Sequence, residues 1–305
     1  MKVLTGLAVV GATFLLAACS RQSPQANVSG SSTNLSLKSL VIALKPDKNP
    51  DAMLEEKKTL EAFLSGQIGI PVEVKIPLAS AVILEGFQNG TVDLGYLSAT
   101  EMIAARDKGS ASLLLAGEIE GNPWYKSYWV ALKEKPYTRV EDLRGKPVAF
   151  SSKTSTSGYL IPHWSLIRKG LVSPKGDPEE FFGRGNVWYG SGYVSAIEQV
   201  LNGSAEAAAV SYYVLDKDKH LTVEQRAKLK RIDEQGPVPT HVIAIRSSIP
   251  ETDRAVIRAA LETLNDPPNH ALRDKVFTSK LVPANEQEHI APLHEALVLT
   301  GKLEK

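Results

Sequence analysis

The chain has 305 residues, 35 Lys and Arg against 34 Asp and Glu, 43% hydrophobic residues and one cysteine. The apolar content and near-neutral charge exclude a disordered chain, and the lack of a basic excess excludes a bulk nucleic-acid binder. One cysteine excludes a disulfide framework and a cysteine-based zinc site, and the length suits one large domain or two ordinary ones.

Lys2 opens the chain as a positive flank, and Val3 to Leu16 follow as an uncharged apolar run. The run is too short to span a bilayer core of about 30 Å comfortably, so residues 1–18 read as a signal peptide. Leu16-Ala17-Ala18-Cys19 closes it and resembles the lipobox of bacterial lipoproteins. That resemblance implies that Cys19 is lipidated and becomes the first residue of the mature chain. Cleavage removes Lys2 and leaves 34 basic against 34 acidic residues. The segment from Ser20 to Ser36 is rich in Ser, Gln and Asn with one charge, Arg21. It cannot bury a core, so residues 19–37 read as a lipidated cysteine and flexible tether.

The body alternates strands and helices. Leu40 to Leu44 is a buried-strand run. From about Ala52 to Gln67, Leu54, Leu60, Phe63 and Leu64 recur at near-helical spacing. Val72, Val74 and Ile76 alternate with other residues after Pro71 and form a second strand. Residues 80–88 read as a helix that stops at Asn89-Gly90. Val92 to Leu97 is a third strand; a helix and the strand Leu113 to Ala116 come next. This order predicts an α/β fold with a mainly parallel sheet. Further along, Tyr128 to Leu132 and Val148 to Phe150 are strands, and a second βα series runs to about residue 233. His241 to Ile245 returns as a strand, and the chain after Pro250 is mostly helical.

A spaced pattern occurs twice. Glu85, Asn89-Gly90, Asp93 and Ser98 reappear at one constant offset as Glu198, Asn202-Gly203, Glu206 and Ser211. On that offset Ser80, at the start of the first helix, matches Tyr193, at the start of the second. The repeat predicts two lobes, each presenting a helix N-terminus and a strand C-terminus, the places where open α/β sheets hold ligands.

The chemically richest segment runs from Ser151 to Pro162, directly after the strand ending at Phe150. A strand, a hydroxyl-rich turn and a helix start make an anion site, because the first N–H groups of a helix have no internal acceptor. Gly158 allows close backbone approach. A plain N-cap needs one Ser or Thr, whereas residues 151–157 carry six. Tyr96, Tyr193, Tyr212 and Tyr213 fall at matching strand and helix ends and suggest phenol donors around a cleft. There is no Gly-x-Ser-x-Gly elbow, no Ser-x-x-Lys pair and no His-Glu-x-x-His. The six histidines show no metal-ligand spacing, and His163 reads as packing or surface. No catalytic residue, cofactor or metal is expected.

These residues resemble the substrate-binding lipoproteins of ABC importers for phosphonate, phosphite and phosphate. The likeness covers about residues 38–280. It rests on Asn89-Gly90-Thr91-Val92-Asp93-Leu94-Gly95-Tyr96, on Asp142-Leu143-Arg144-Gly145-Lys146-x-Val148-Ala149-Phe150, and on Ser155-Thr156-Ser157-Gly158-Tyr159-Leu160-x-Pro162. It implies the type 2 periplasmic binding protein fold, two lobes around a ligand cleft with two chain crossovers at the hinge. Residues 38–130 plus 239–305 would form lobe 1 with the C-terminal helices, and 131–238 lobe 2. It implies that Ser155, Thr156 and Ser157 bind a tetrahedral oxyanion with help from Tyr96. The sequence departs from the family pattern at Ser80, where members often have Tyr, and at Tyr193, where they have His. Tyr213 and His241 stand where aminophosphonate binders carry carboxylates, so a purely anionic or small apolar ligand fits better than a zwitterion. The resemblance makes the chain a periplasmic or extracytoplasmic receptor, lipid-anchored to a bacterial membrane. Its partners would be a small anionic ligand, a membrane permease and no nucleic acid. Alternatives are a same-fold receptor for a sulfonate, a pyrimidine precursor or another oxyanion, a lipid-anchored hydrolase using Ser157, and a sensory partner of a membrane kinase.

Overall fold

The computed structural model describes residues 35–45, 53–217, 220–277 and 279–303. The signal peptide, Cys19 and most of the tether lie outside the described residues. Eleven strands are described: β1 Leu40–Ala43, β2 Val72–Lys75, β3 Leu94–Leu97, β4 Ala111–Glu118, β5 Trp124–Leu132, β6 Val148–Phe150, β7 Val187–Tyr189, β8 Ala207–Ser211, β9 Leu229–Pro239, β10 Val242–Arg246 and β11 Lys280–Val282. They form two sheets, ordered β11-β4-β10-β3-β1-β2 and β7-β6-β8-β5-β9. This is the two-lobed α/β architecture expected from the sequence.

Burial follows strand position. The central strands β3 and β8 are buried at every residue, as both faces are covered by other elements. The edge strand β2 alternates buried Val with exposed Glu and Lys. β1 pairs parallel with β2 and β3, and β6 pairs parallel with β7 and β8. Each sheet contains one inserted antiparallel strand that has just crossed from the other lobe. β10 runs between β3 and β4, and β5 runs between β8 and β9.

Two features differ from the expected division. Residues 124–130 were expected in lobe 1, but β5 pairs with β8 and β9 of the second sheet. The first crossover is therefore the segment 119–123, before Trp124. It begins with the tight Ile119–Asn122 turn, in which Glu120 and Gly121 both have positive φ. The final helix, Glu286–Leu299, was expected with lobe 1. It packs on β9 and on the helix Ile161–Arg168 of lobe 2, as well as on the helix Ala99–Asp107 of lobe 1. Its apolar face carries Ile290, Leu293, Ala296 and Leu297 into a core shared by both lobes. β9 and β11 are not marked by the sequence pattern. β9 buries only about every third residue, so it lacks period-2 alternation. β11 is a three-residue edge strand.

The repeated pattern is structural. Asn89-Gly90 and Asn202-Gly203 each end a helix, with both glycines at positive φ. Asp93 and Glu206 each precede a buried strand and are neutralised there. Asp93 accepts from Val41 N at 2.8 Å and pairs with Arg246 at 2.6 Å. Glu206 pairs with Lys135 at 2.9 Å.

Candidate functional site

The C-terminal ends of the parallel strands set where the side chains converge. β6 ends at Phe150 and leads through Ser151–Ser155 into a π-helical turn, Thr156–Leu160, continuous with the helix Ile161–Arg168. The wide turn is closed by i→i+5 bonds, Leu160 N to Ser155 O at 3.0 Å and Ile161 N to Thr156 O. Single π turns are rare and concentrate at functional sites. Ser155 caps the turn, accepting from Gly158 N at 3.0 Å. The N–H groups of Thr156 and Ser157 are then the first helical donors without an acceptor in their own helix. Gly158 is required by close approach. A Cβ there would run into Ser151 and come within 2.9 Å of Ser155 Oγ. The turn is also tied from below: Ser127 Oγ, on β5, donates to Ser157 O, and Gln235 Nε2 donates to Ser127 Oγ at 2.7 Å.

Phenols gather around Ser157. Ser157 Oγ lies 2.7 Å from Tyr193 OH, and Tyr125 OH donates to it at 3.4 Å. Tyr213 packs edge-on against Tyr193, ring centroids 5.6 Å apart at 90°. Tyr212 tilts against Tyr125 and meets Tyr213 edge-on. Burial, reinforced by neighbouring phenols, pushes the Tyr125 and Tyr213 hydroxyls well above the usual tyrosine range. They stay protonated and serve as donors at any physiological pH. The lobes meet at this point: Thr100 Oγ1, on the helix Ala99–Asp107 of lobe 1, is 3.0 Å from Thr156 Oγ1. A hydroxyl array on one lobe, a helix N-terminus and a closing second lobe can hold an oxyanion with uncharged donors alone.

Of the residues picked from the sequence, Ser155, Thr156, Ser157, Tyr193 and Tyr213 come together. Tyr96 is almost fully buried, and its hydroxyl donates to the Phe277 carbonyl, so that proton is committed to lobe 1 packing. His241 sits at the second crossover, its ring 5.5 Å from that of Tyr96, with Nε2 2.9 Å from Lys45 Nζ. Ser80 begins the helix Ser80–Asn89 and its hydroxyl joins none of these bonds. His163 is buried packing, with Nε2 against Gly176 O at 2.9 Å. Tyr125, Ser127 and Thr100 were missed. β5 is antiparallel, so its beginning rather than its end reaches the cleft; Tyr125 becomes visible only once β5 is placed in the second sheet. Among the described residues no group of His, Cys, Asp or Glu could hold a metal ion, and no helix is long and apolar enough to cross a membrane.

A family profile described as "ABC transporter, phosphonate, periplasmic substrate-binding protein" matches residues 42–289. The chain belongs to this family. It is a family of transport binding proteins, not of enzymes, which places its members on the extracytoplasmic side. Among curated proteins, the chain is 28% identical over 182 residues to "Phosphate-import protein PhnD" of Mycolicibacterium smegmatis, covering 58% of this chain and 56% of that one. It is 24% identical over 188 residues to "Probable ABC transporter phosphite binding protein PhnD1" of Prochlorococcus marinus, covering 59% and 61%. The chain thus matches less than two thirds of the length of either relative. Among solved structures, PhnD1 from Prochlorococcus marinus in complex with methylphosphonate superposes with a TM-score of 0.68 at 17% identity, over 87% of this chain and 99% of that one. XAC2383 from Xanthomonas citri, bound to chloride ion, gives 0.72 at 20% identity, over 88% and 100%. At these identities the structural likeness speaks for the fold.

Proposed function

We propose that this chain is the binding component of an ABC importer, capturing a small phosphorus oxyanion between its lobes and delivering it to a membrane permease. The observation that carries this reading is the convergence of Ser157, Tyr193, Tyr125 and Thr156 on one helix start, with Thr100 of the other lobe in hydrogen-bond reach of Thr156. Such donors satisfy the several oxygens of a tetrahedral anion, and ligand binding biases the lobes toward closure. The ligand is phosphite, methylphosphonate or phosphate. Tyr213 places a phenol where an aminophosphonate binder needs a carboxylate, so an ammonium group finds no counter-charge at that position. Ser155, Thr156, Ser157, Tyr193, Tyr125 and Tyr213 form the lobe 2 wall of this site. Lipidation at Cys19 holds the body at the membrane surface.

Isothermal titration of the full chain in detergent with phosphite, methylphosphonate, phosphate, 2-aminoethylphosphonate and a sulfonate tests the reading. One of the first three is expected to bind most tightly. Preference for the aminophosphonate or the sulfonate overturns the ligand assignment. Cys19→Ser is expected to move the protein from the membrane to the soluble fraction, and unchanged fractionation overturns the anchor.

A further inference from the structure

Ser211 is the last residue of β8 and is wholly buried, yet its hydroxyl has no hydrogen-bond partner. A buried polar group left unpaired is rare and calls for an occupant or a function. Its direction follows from the sheet. Ala207 and Ala209 face the core beneath the helix Ile161–Arg168, and Ala208 and Val210 face the opposite side. Alternation puts Ser211 on the face of Ala207 and Ala209. Its register partner across the antiparallel pair is Ser127, whose hydroxyl reaches Ser157 O on that same face. Directly opposed side chains share a face with Cβ atoms about 5 Å apart. Ser211 is therefore under the π turn, at the Ser157 end.

The repeated pattern sharpens the point. Ser98 holds the matching position in lobe 1, and there the hydroxyl is used up. It caps the helix Ala99–Asp107 in a reciprocal box with Glu101, Ser98 Oγ to Oε2 at 2.8 Å and Ser98 N to Oε2 at 2.7 Å. In lobe 2 the next helix, Tyr213–Asp216, is one turn long and starts after Tyr212 without a side-chain cap. The same residue type at the same station has lost its structural task and, where Ser98 is only partly buried, Ser211 is wholly buried.

We infer that Ser211 is a further ligand-binding residue, donating its hydroxyl to an oxygen of the bound phosphorus oxyanion from beneath the turn. The inference rests on the proposed function and adds a donor from the sheet floor to those on the turn and the tyrosines. It carries an unusual signature. Without ligand the hydroxyl is a buried unpaired group, so Ser211→Ala should stabilise the empty protein while weakening ligand binding. A purely structural serine would not move those two quantities in opposite directions.

The test titrates wild type, Ser211→Ala and Ser157→Ala, as full chains in detergent, with phosphite, methylphosphonate and phosphate, and records the Tm of each without ligand. Ser211→Ala is expected to raise Kd for the best ligand about tenfold, which is about 1.4 kcal/mol, and to raise the ligand-free Tm. Wild-type affinity in Ser211→Ala, with a loss in Ser157→Ala, overturns the inference and leaves the site reading standing. A lower ligand-free Tm in Ser211→Ala also overturns it, because the hydroxyl then has a structural partner. Failure of all three anions to bind wild type overturns the site reading and the inference together.

Discussion

Replacing Tyr193 by Phe removes one oxygen from the cleft and leaves the ring. In the empty protein that oxygen is 2.7 Å from Ser157 Oγ. When an oxyanion is bound, the phenol becomes a donor to a charged acceptor, a bond worth about 1.5–3 kcal/mol. Kd should therefore rise roughly 10- to 150-fold. The edge-on packing of ring 193 against Tyr213 is kept, so the stability loss is confined to one neutral hydroxyl pair, about 1 kcal/mol. That corresponds to a fall of roughly 2–4 °C in Tm. Titration calorimetry reads the affinity and thermal unfolding the stability. Adding Ser157→Ala completes a double-mutant cycle. Groups that share one acceptor should couple by about 0.5–3 kcal/mol. A Kd within twofold of wild type in Tyr193→Phe, or strict additivity in the cycle, refutes the view that these hydroxyls act on one ligand.

Three further outcomes are expected. Thr100→Val removes the 3.0 Å bond to Thr156 between the lobes; losing about 1 kcal/mol from the closed state should expand the ligand-free protein in small-angle scattering, and an unchanged radius of gyration counts against a closing role. Gly158→Ala drives a Cβ into Ser151; the overpacking should cost about 1–3 kcal/mol and remove binding, and normal binding would show that the turn tolerates a side chain. Burial holds His163 and His289 below the usual histidine range. The unfolded chain takes up protons below about pH 6.5 while the folded one resists, so stability is full above that pH and falls as pH drops through it. Tm should be lower at pH 5 than at pH 7.5, and the drop should shrink in His163→Gln with His289→Gln; an unaltered drop in the double variant assigns the acid sensitivity elsewhere.

The repeating spacing and the Ser/Thr run were legible because each rests on local chemistry. Asn-Gly ends a helix through positive φ, and a hydroxyl-rich stretch after a buried strand starts one. The same local logic found Tyr193, which opens a helix. It failed where position depends on the other lobe. Tyr125 lies at the start of a strand, which looks unpromising until that strand is known to run against its neighbours. Tyr96 ends a parallel strand at the expected edge, but Phe277, 181 residues away in sequence, takes its proton. The lobe boundary was misplaced because only Tyr128 to Leu132 form a continuous apolar run, whereas Lys126 and Ser127 interrupt the first half of β5. The π turn has no composition of its own, and only the bonds closing it distinguish it from an α-helical start.

The final helix fixes where the two ends of the body travel. Glu286, at its start, takes the N–H of Leu113 in lobe 1 at 2.6 Å. Leu299, at its end, receives the N–H of Lys175 in lobe 2 at 2.7 Å. In its first turn, His289 faces Thr240 O at the second crossover. The helix is thus a connecting rod about 20 Å long, pinned in its first turn to both the pivot and lobe 1 and at its far end to lobe 2. At the other end of the body, Ser36 is tied to Asp253 of lobe 1 by bonds of 3.0 and 2.6 Å. A hold on the N-terminal side therefore grips one jaw, and the C-terminal side rides on the other. Two dyes, one beside Leu37 and one beside Leu303, would turn each closing stroke into a change of distance readable on a single molecule.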